Sequence, residues 1–300
     1  LTEPEQLDAF KPDVAIVGAP YDDNTSNRPG ARFGPQAIRA RAYHPGTFNI
    51  DLEIELFEKL KCVDYADAIC QAGMWEYSRK AIFDRVLEVA NRNIFPITIG
   101  GDHSIVNPAF SAIAEKYGKG KVGIIHFDAH ADTGNIVDGN LCSHGTPMRR
   151  LIESGAVKGE NFIQVGLRGY WPGTEEFQWM KDQGMRWHTM EEVFKDGIQK
   201  VISQALEEAK QGTEFLYMSV DIDVLDPGFA PATGTPAPGG MTPLELLKTV
   251  RRIALETNLV GMDLVEVSPP YDWADVTINN AHGVIWEVLS GLAYKKINSK

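Results

Sequence analysis

The 300-residue sequence predicts an α/β protein in which a mostly parallel sheet of about eight strands carries helices on both faces. Two observations lead there. Short β-rich runs alternate with helical patterns along the chain, the order expected of strand–helix–strand crossovers. Several runs, such as KVGIIHF at 121–127 and LVGMDLVEV at 259–267, are nearly continuous in apolar residues and so suit strands covered on both sides.

In chain order, strands are expected at 14–17 and 62–65, followed by a helix in EYSRKAIFDRVLEVANR at 76–92. A strand at 96–100 leads into the helical NPAFSAIAEKYG at 107–118, and further strands follow at 122–127, 162–167 and 185–187. The pattern GIQKVISQALEEAKQG at 197–212 reads as helix, 215–220 as strand, MTPLELLKTVRRIALET at 241–257 as helix and 260–265 as strand. Thr242 followed by Pro243 suits the cap and first position of that helix. With no Ser-rich linker, repeat or low-complexity tract, residues 1–300 are expected to form one domain, with 1–12 as an N-terminal extension. The Gly/Pro-rich DPGFAPATGTPAPGG at 226–240 follows a strand end and reads as an active-site loop, because open α/β sheets bind ligands outside their strand carboxyl ends.

A formal net charge of −12 and the lack of a basic run argue against nucleic-acid binding and favour a cationic ligand. Cys62, Cys70 and Cys142 form no CxxC pair, so a reduced, cytoplasmic setting is expected. Apolar runs fall well short of the roughly 20 residues a membrane span needs, so no membrane partner is expected.

Three segments bring ionisable groups to strand carboxyl ends. TIGGDHS delivers Asp102 and His103 after Gly100 and Gly101, which let the backbone turn and approach closely. HFDAHAD delivers Asp128, His130 and Asp132; SVDIDVLDP delivers Asp221 and Asp223, with Asp226 out of phase. Extended backbone would point residues two apart to the same side. Asp102 and Asp226 read equally well as caps or turn formers, and His44, His188 and His282 as ordinary satisfied histidines. The remaining four carboxylates and two imidazoles suit a hard divalent ion such as Mn²⁺. Six ligating residues exceed what one octahedral ion needs beside water and substrate. Two ions about 3.5–4 Å apart, sharing bridging carboxylates, account for them and supply hydroxide near neutral pH. GKGKVG at 118–123 matches GxGxxG but leads into a strand instead of following one, so it is no dinucleotide fingerprint; with no GxxxxGK[ST] or GxSxG either, hydrolysis is expected rather than redox chemistry.

Taken together, GGDHS, DAHAD, SVDIDVLDP and ATGTPAPGG resemble the ureohydrolase family of arginase, agmatinase, guanidinobutyrase and proclavaminate amidinohydrolase. RPGARFGPQAIR at 28–39, SHGTPMRR at 143–150 and VEVSPPYD at 265–272 extend the resemblance from about residue 13 to the C-terminal helix. It implies an arginase-like three-layer α/β/α fold, two Mn²⁺ per chain and a homo-oligomer, trimer or hexamer. It assigns His103, Asp128, Asp132 and Asp221 to one ion, and Asp128, His130, Asp221 and Asp223 to the other. Asp128 and Asp221 bridge, which makes Asp128 a catalytic as well as a metal residue. The implied chemistry is attack of a bridging hydroxide on a guanidinium carbon, giving urea and an amine.

The same resemblance makes Glu266 the grip on the guanidinium, for which a carboxylate is suited, and His144 the proton shuttle near the leaving amine. Their ordinary alternatives are a strand-end salt bridge and a solvent-exposed loop histidine. His126 reads as an outer or packing residue, and Arg28 and Arg32 as ties for the N-terminal loop. TGTPAPGG and EVSPPYD look closest to agmatinase, so agmatine is the leading substrate. Guanidine, a short N-substituted guanidine or biguanide, and guanidinobutyrate are the alternatives. Substrate-tail contacts are expected from Asn135, Asp138, Asn140, Tyr170 and Trp171 in the loops after strand ends. Ni²⁺ or Co²⁺ would suit the same ligands. A mononuclear deacetylase-like hydrolase and a non-catalytic partner of a hetero-oligomer are readings of other classes; a complete ligand set speaks against both.

Overall fold

The computed structural model describes residues 1–41 and 46–298, which leaves His44 outside the described residues. Its strands are β1 Val14–Ala19, β2 Phe48–Asn49, β3 Ile54–Glu55, β4 Cys62–Asp67, β5 Phe95–Gly100, β6 Val122–Phe127, β7 Phe162–Leu167, β8 Arg186–Thr189, β9 Phe215–Asp221 and β10 Leu259–Val265. The helices are α1 Pro4–Phe10, α2 Gly34–Ala40, α3 Leu56–Lys59, α4 Trp75–Asn91, α5 Val106–Tyr117, α6 Pro147–Glu153, α7 Thr174–Asp182, α8 Met190–Asp196, α9 Ile198–Ala209, α10 Pro243–Glu256 and α11 Val276–Asn298.

Eight strands form one sheet in the order β4-β1-β5-β10-β9-β6-β7-β8, and β2 pairs with β3 alone. Every pairing in the large sheet is parallel. Such strands lie between two helical layers, so both faces must be apolar. On β6, Val122 and Ile124 pack into a core with α4, α5 and α6, while Ile125 and Phe127 pack into another with α9, α10 and α11. These are the two outer layers of a three-layer α/β/α sandwich.

The helix α10 shows how sequence sets a boundary. The Thr242 hydroxyl accepts the Glu245 N–H at 3.3 Å and Glu245 Oε2 accepts the Thr242 N–H at 2.8 Å, so two otherwise orphaned amides are satisfied. Leu246, Val250 and Ile253 then recur at helical spacing on the buried side.

Although β5 and β6 are consecutive in the sheet's chain order, β10 and β9 lie between them. The crossover from β5 to β6 skips two places, which β9 and β10 fill when the chain travels back across the sheet after β8, and the carboxyl ends of β5, β6, β9 and β10 open onto one crevice. Among the described residues no helix is long and apolar enough to cross a membrane.

Candidate metal centre and cavity

Each of the three acidic motifs begins with an aspartate that folds its own loop. One Asp102 oxygen, Oδ1, accepts the Ser104 N–H at 2.9 Å, Asp128 Oδ1 accepts the His130 N–H at 2.6 Å, and Asp221 Oδ1 accepts the Asp223 N–H at 2.8 Å. These are turns in which an aspartate side chain stands in for a backbone carbonyl. They correct the expectation that strand alternation aims these groups. β6 ends at Phe127, β9 ends at Asp221, and Asp223 lies in a short 3-10 turn. The groups converge because the chain leaves the sheet and the aspartates curl it over the strand ends. Asp132 adopts a left-handed backbone with φ +52°, a region that aspartate enters more readily than most residues.

The turn leaves the second oxygen of Asp128 and of Asp221 free to face inward. His103 Nδ1 stands 3.0 Å from Asp128 Oδ2, 3.1 Å from Asp132 Oδ2 and 3.1 Å from Asp221 Oδ2. Yet His103 Nδ1 and Asp128 Oδ2 are buried without a partner in hydrogen-bonding geometry. Ligand atoms at right angles, each roughly 2.1 Å from a divalent ion, would be about 3.0 Å apart, so these spacings fit a coordination shell. Beside them, His130 Nδ1 lies 3.0 Å from Asp223 Oδ2 and 3.5 Å from Asp128 Oδ1. Asp223 Oδ1 is held by the Ala129 N–H at 3.1 Å, which locks the β6 and β9 loops together.

His126, Asp128 and His103 also form a compact donor set, as do Asp128, His130 and Asp223. His126 Nε2 lies 2.9 Å from Asp128 Oδ2, while its Nδ1 is 3.0 Å from the Gln164 amide nitrogen. His126 Nε2, buried without a partner in hydrogen-bonding geometry, thus faces the same Asp128 oxygen as His103 Nδ1 and borders the cluster.

Protonation shows the strain of so many buried acids. Burial pushes Asp221 well above the carboxylate range, reinforced by Asp223 and Asp128. Burial opposes charge on His130, but Asp223 and Asp128 outweigh it and push the ring up to about 12. His103 moves well up for the same reason, its burial outweighed by Asp128, Asp132 and Asp221. The cluster draws positive charge to itself, as protons or as a cation.

Glu266 sits at the end of β10 with φ +64°, an uncommon conformation for a non-glycine residue. Its Oε1 accepts the His103 N–H at 2.8 Å and lies 2.9 Å from His144 Nδ1, whereas its Oε2 is buried without a partner. Gly234 gives that oxygen room, since a Cβ there would lie 2.9 Å from it. His144 is buried, and its Nε2 faces Ser26, 2.7 Å from Oγ and 3.1 Å from the backbone N–H that donates to it. Burial works against a charged His144, yet Glu266 overcomes it and pushes the ring up to about 9. The Ser26 N–H pulls the other way, since it favours a neutral ring with a lone pair on Nε2.

A cavity of about 310 Å³ opens onto the cluster, with His130, Asp132 and Asp221 in its floor and His144 and Ser26 at one side. Trp171 walls it, its ring 6.4 Å from that of His130, and Asp138 stands at the edge. Gly134 and Gly145 lie beside the indole, where a Cβ would come 3.4 Å and 3.7 Å from it. Asn135 and Tyr170 do not line this cavity. Asn135 accepts from Arg150 at the surface at 3.0 Å, and the Tyr170 side chain is fully exposed. Asn140 ties Asn24 and the Cys142 N–H. The sequence reading missed Ser26, which is 118 residues from His144, and Thr235, whose hydroxyl lies 3.4 Å from Asp223 Oδ2. It also missed Asn24, whose carbonyl accepts the His144 N–H at 2.9 Å and whose own N–H reaches Asp102 at 3.0 Å. Only the TS pair within the N-terminal loop hinted at hydroxyls there. Arg32 bonds Asp22 and Asp23, Arg28 lies over the Tyr271 ring, and Asp226 accepts the Gly228 and Gly239 N–H groups of its own loop.

Comparison with known proteins gives the same family as the motifs. The arginase family model matches residues 12–291. The mitochondrial agmatinase of Gallus gallus is 38% identical over 288 residues, covering 95% of this chain and 83% of that protein. The guanidinobutyrase of Pseudomonas aeruginosa is 37% identical over 289 residues, covering 95% of this chain and 88% of its own length. Among solved structures, formimidoylglutamase from Bacillus subtilis superposes with a TM-score of 0.88 at 31% identity, covering 93% of this chain and 86% of that one. The chain belongs to the arginase family and is a hydrolase of amidino C–N bonds.

Proposed function

We propose that the protein is a two-metal amidinohydrolase that cleaves a small cationic guanidino compound to urea and an amine, with agmatine the leading substrate. The observation that carries this reading is the cavity itself. Its floor is made of ligand residues, a carboxylate stands at its edge, and among the described residues no Lys or Arg lines it. Such a site attracts a cation.

His103, Asp128, Asp132 and Asp221 would hold one ion, and Asp128, His130, Asp221 and Asp223 the other. The hard, oxygen-rich donor set favours Mn²⁺, with Ni²⁺ or Co²⁺ compatible. When bound, the ions supply a water acidic enough to act as hydroxide near neutral pH. The protein does the rest. Glu266 Oε2, buried without a partner, accepts a guanidinium N–H, and Gly234 keeps that approach clear. His144 delivers the proton that the leaving amine requires, with Ser26 holding Nε2 and Glu266 holding Nδ1. Asp138 at the cavity edge suits the distal ammonium of agmatine, and Trp171 bounds the tail.

A second reading rests on Trp171, whose indole meets His130 edge-on and would favour guanidine or a short N-substituted guanidine or biguanide, with guanidinobutyrate the remaining alternative. The unpaired state of Cys62, Cys70 and Cys142 suits a reducing compartment such as the cytoplasm. Homo-oligomers, the trimers or hexamers implied by the family resemblance, fit the large hydrophobic side chains left exposed at Ile136, Leu141 and Tyr170.

The test is urea release from agmatine, 4-guanidinobutyrate, arginine, guanidine and methylated guanidines or biguanides, after separate loading with Mn²⁺ and Ni²⁺. Agmatine is expected to be preferred. Preference for guanidine or a short derivative would establish the second reading. No urea from any compound, with two ions bound per chain, would overturn both.

A further inference from the structure

The cavity edge where Asp138 stands is a two-residue turn. Val137 and Asn140 exchange both backbone hydrogen bonds, at 3.1 Å and 2.8 Å, and Asp138 and Gly139 between them have φ of +50° and +78°. An Asp-Gly pair suits such a turn, because both central residues must enter the left-handed region. The turn is stiff in itself, but one rung of pairing does not seat it on the protein. Among the described residues, one hydrogen bond from 137–140 leaves the loop: Asn140 Nδ2 donates to Asn24 Oδ1 at 3.2 Å, across 116 residues of sequence.

Neighbouring groups set the orientation of both amides. The Cys142 N–H can only donate, and it meets Asn140 Oδ1 at 2.9 Å, so Nδ2 of Asn140 turns to Asn24. Asn24 therefore accepts through Oδ1 and donates through Nδ2 to Ser104 Oγ, 3.0 Å away in the turn after β5. Asn24 is buried, and its backbone has other work: its N–H donates to Asp102 at 3.0 Å and its carbonyl accepts the His144 N–H at 2.9 Å. The backbone thus seats His144, while the side chain joins the turn to the strand ends.

We propose that Asn24 is a positioning residue for substrate choice: its side-chain amide fixes the turn that carries Asp138, and so the length of cationic tail that the cavity accepts. The proposal rests on the reading of Asp138 as receptor for a distal ammonium. A carboxylate on a loose turn follows its partner and discriminates poorly between tails. One held at a fixed distance from the ligand cluster strengthens the tail that reaches it and rewards no other.

The experiment measures urea release from agmatine and from methylguanidine, which has no tail to reach the turn. Wild type, Asn24→Ala, Asn140→Ala and the double variant are compared, all loaded with Mn²⁺, and amide hydrogen exchange of the same proteins is followed by mass spectrometry. Each single variant is expected to raise the agmatine KM about tenfold relative to the methylguanidine KM, the size of one charged contact. The loss lies in KM rather than kcat, as for binding common to ground and transition states. The double variant is expected to lose no more than either single, because both remove the same tie. Exchange at 137–140 is expected to speed up in all three variants and to stay as in wild type at 144–150, since the backbone contact to His144 survives. Asn140 is less buried than Asn24, so Asn140→Ala carries the test if Asn24→Ala folds poorly. An equal loss on both substrates, additive losses in the double variant, or unchanged exchange at 137–140 would overturn the proposal. Wild type that cleaves methylguanidine but not agmatine would instead overturn the Asp138 reading, and this role of Asn24 with it.

Discussion

At the scale of single residues, His144 sits between two groups that want opposite things from it. Glu266 Oε1 stabilises a positive ring through Nδ1, and the Ser26 N–H aimed at Nε2 favours a neutral one. With the ring pushed up to about 9, the folded chain keeps a proton that an unfolded chain, with an ordinary imidazole near ~6.5, has already released. A raised pKa of this kind stabilises the fold fully below the unfolded value, and the gain is lost as pH rises through the folded value. The stability difference between wild type and His144→Asn, measured by urea unfolding in excess chelator, is therefore expected to be largest near about pH 6 and to shrink by about pH 9.5. A difference that stays flat or grows over that range would mean that Ser26 wins and the ring is neutral throughout.

At the scale of elements, the sheet was legible because buried parallel strands leave a direct trace in sequence. All eight expected strands are present, and those at 122–127 and 162–167 coincide with β6 and β7 to the residue. The β2–β3 hairpin and the short helices α1, α2, α3, α6, α7 and α8 were not read, since two to nine residues give too little periodicity to see. The cluster of acids and imidazoles was legible because these groups crowd at strand ends. Their aim was not, because it comes from aspartate turns rather than from the pleat. Ser26 left no local signal, since only the fold brings it to His144. The β5 turn shows how one element sets another's chemistry. A Cβ on Gly101 would lie 1.8 Å from the Tyr21 carbonyl oxygen, which also accepts the Asp102 N–H, and the Gly101 carbonyl accepts the Glu266 N–H at 2.9 Å. Gly101→Ala must push the β1 and β5 ends apart, so it is expected to lower stability by about 3 kcal/mol and to depress turnover further by moving Glu266. Equilibrium unfolding alongside urea release would check both, and wild-type behaviour in both would show that the loop yields without effect.

On the scale of the whole molecule, the ionisable cluster takes its residues from the ends of β5, β6 and β9, with Glu266 added by β10. These are the four central strands of the sheet, so ions held there would add a further tie between segments of chain from His103 to Asp223 that sheet pairing and the Ala129–Asp223 hydrogen bond already join. The metal-free cluster must keep mutually repelling carboxylates buried together, with protons on its histidines as partial relief. Loading should therefore stabilise the fold as well as activate it, and should expel protons as it does so. One ion at ~100 times its dissociation constant adds about 2.7 kcal/mol through its preference for the folded state. With roughly 2 cal/mol/K of unfolding entropy per residue, that is a rise of about 4 °C in Tm for a chain of this length. Scanning calorimetry of chelated protein, then of the same sample with excess Mn²⁺, is expected to show at least that rise, with a second increment if two ions bind independently. An unchanged Tm at saturating Mn²⁺ would mean that the strand ends hold no ion tightly, and the two-metal reading of the cavity would fall with it.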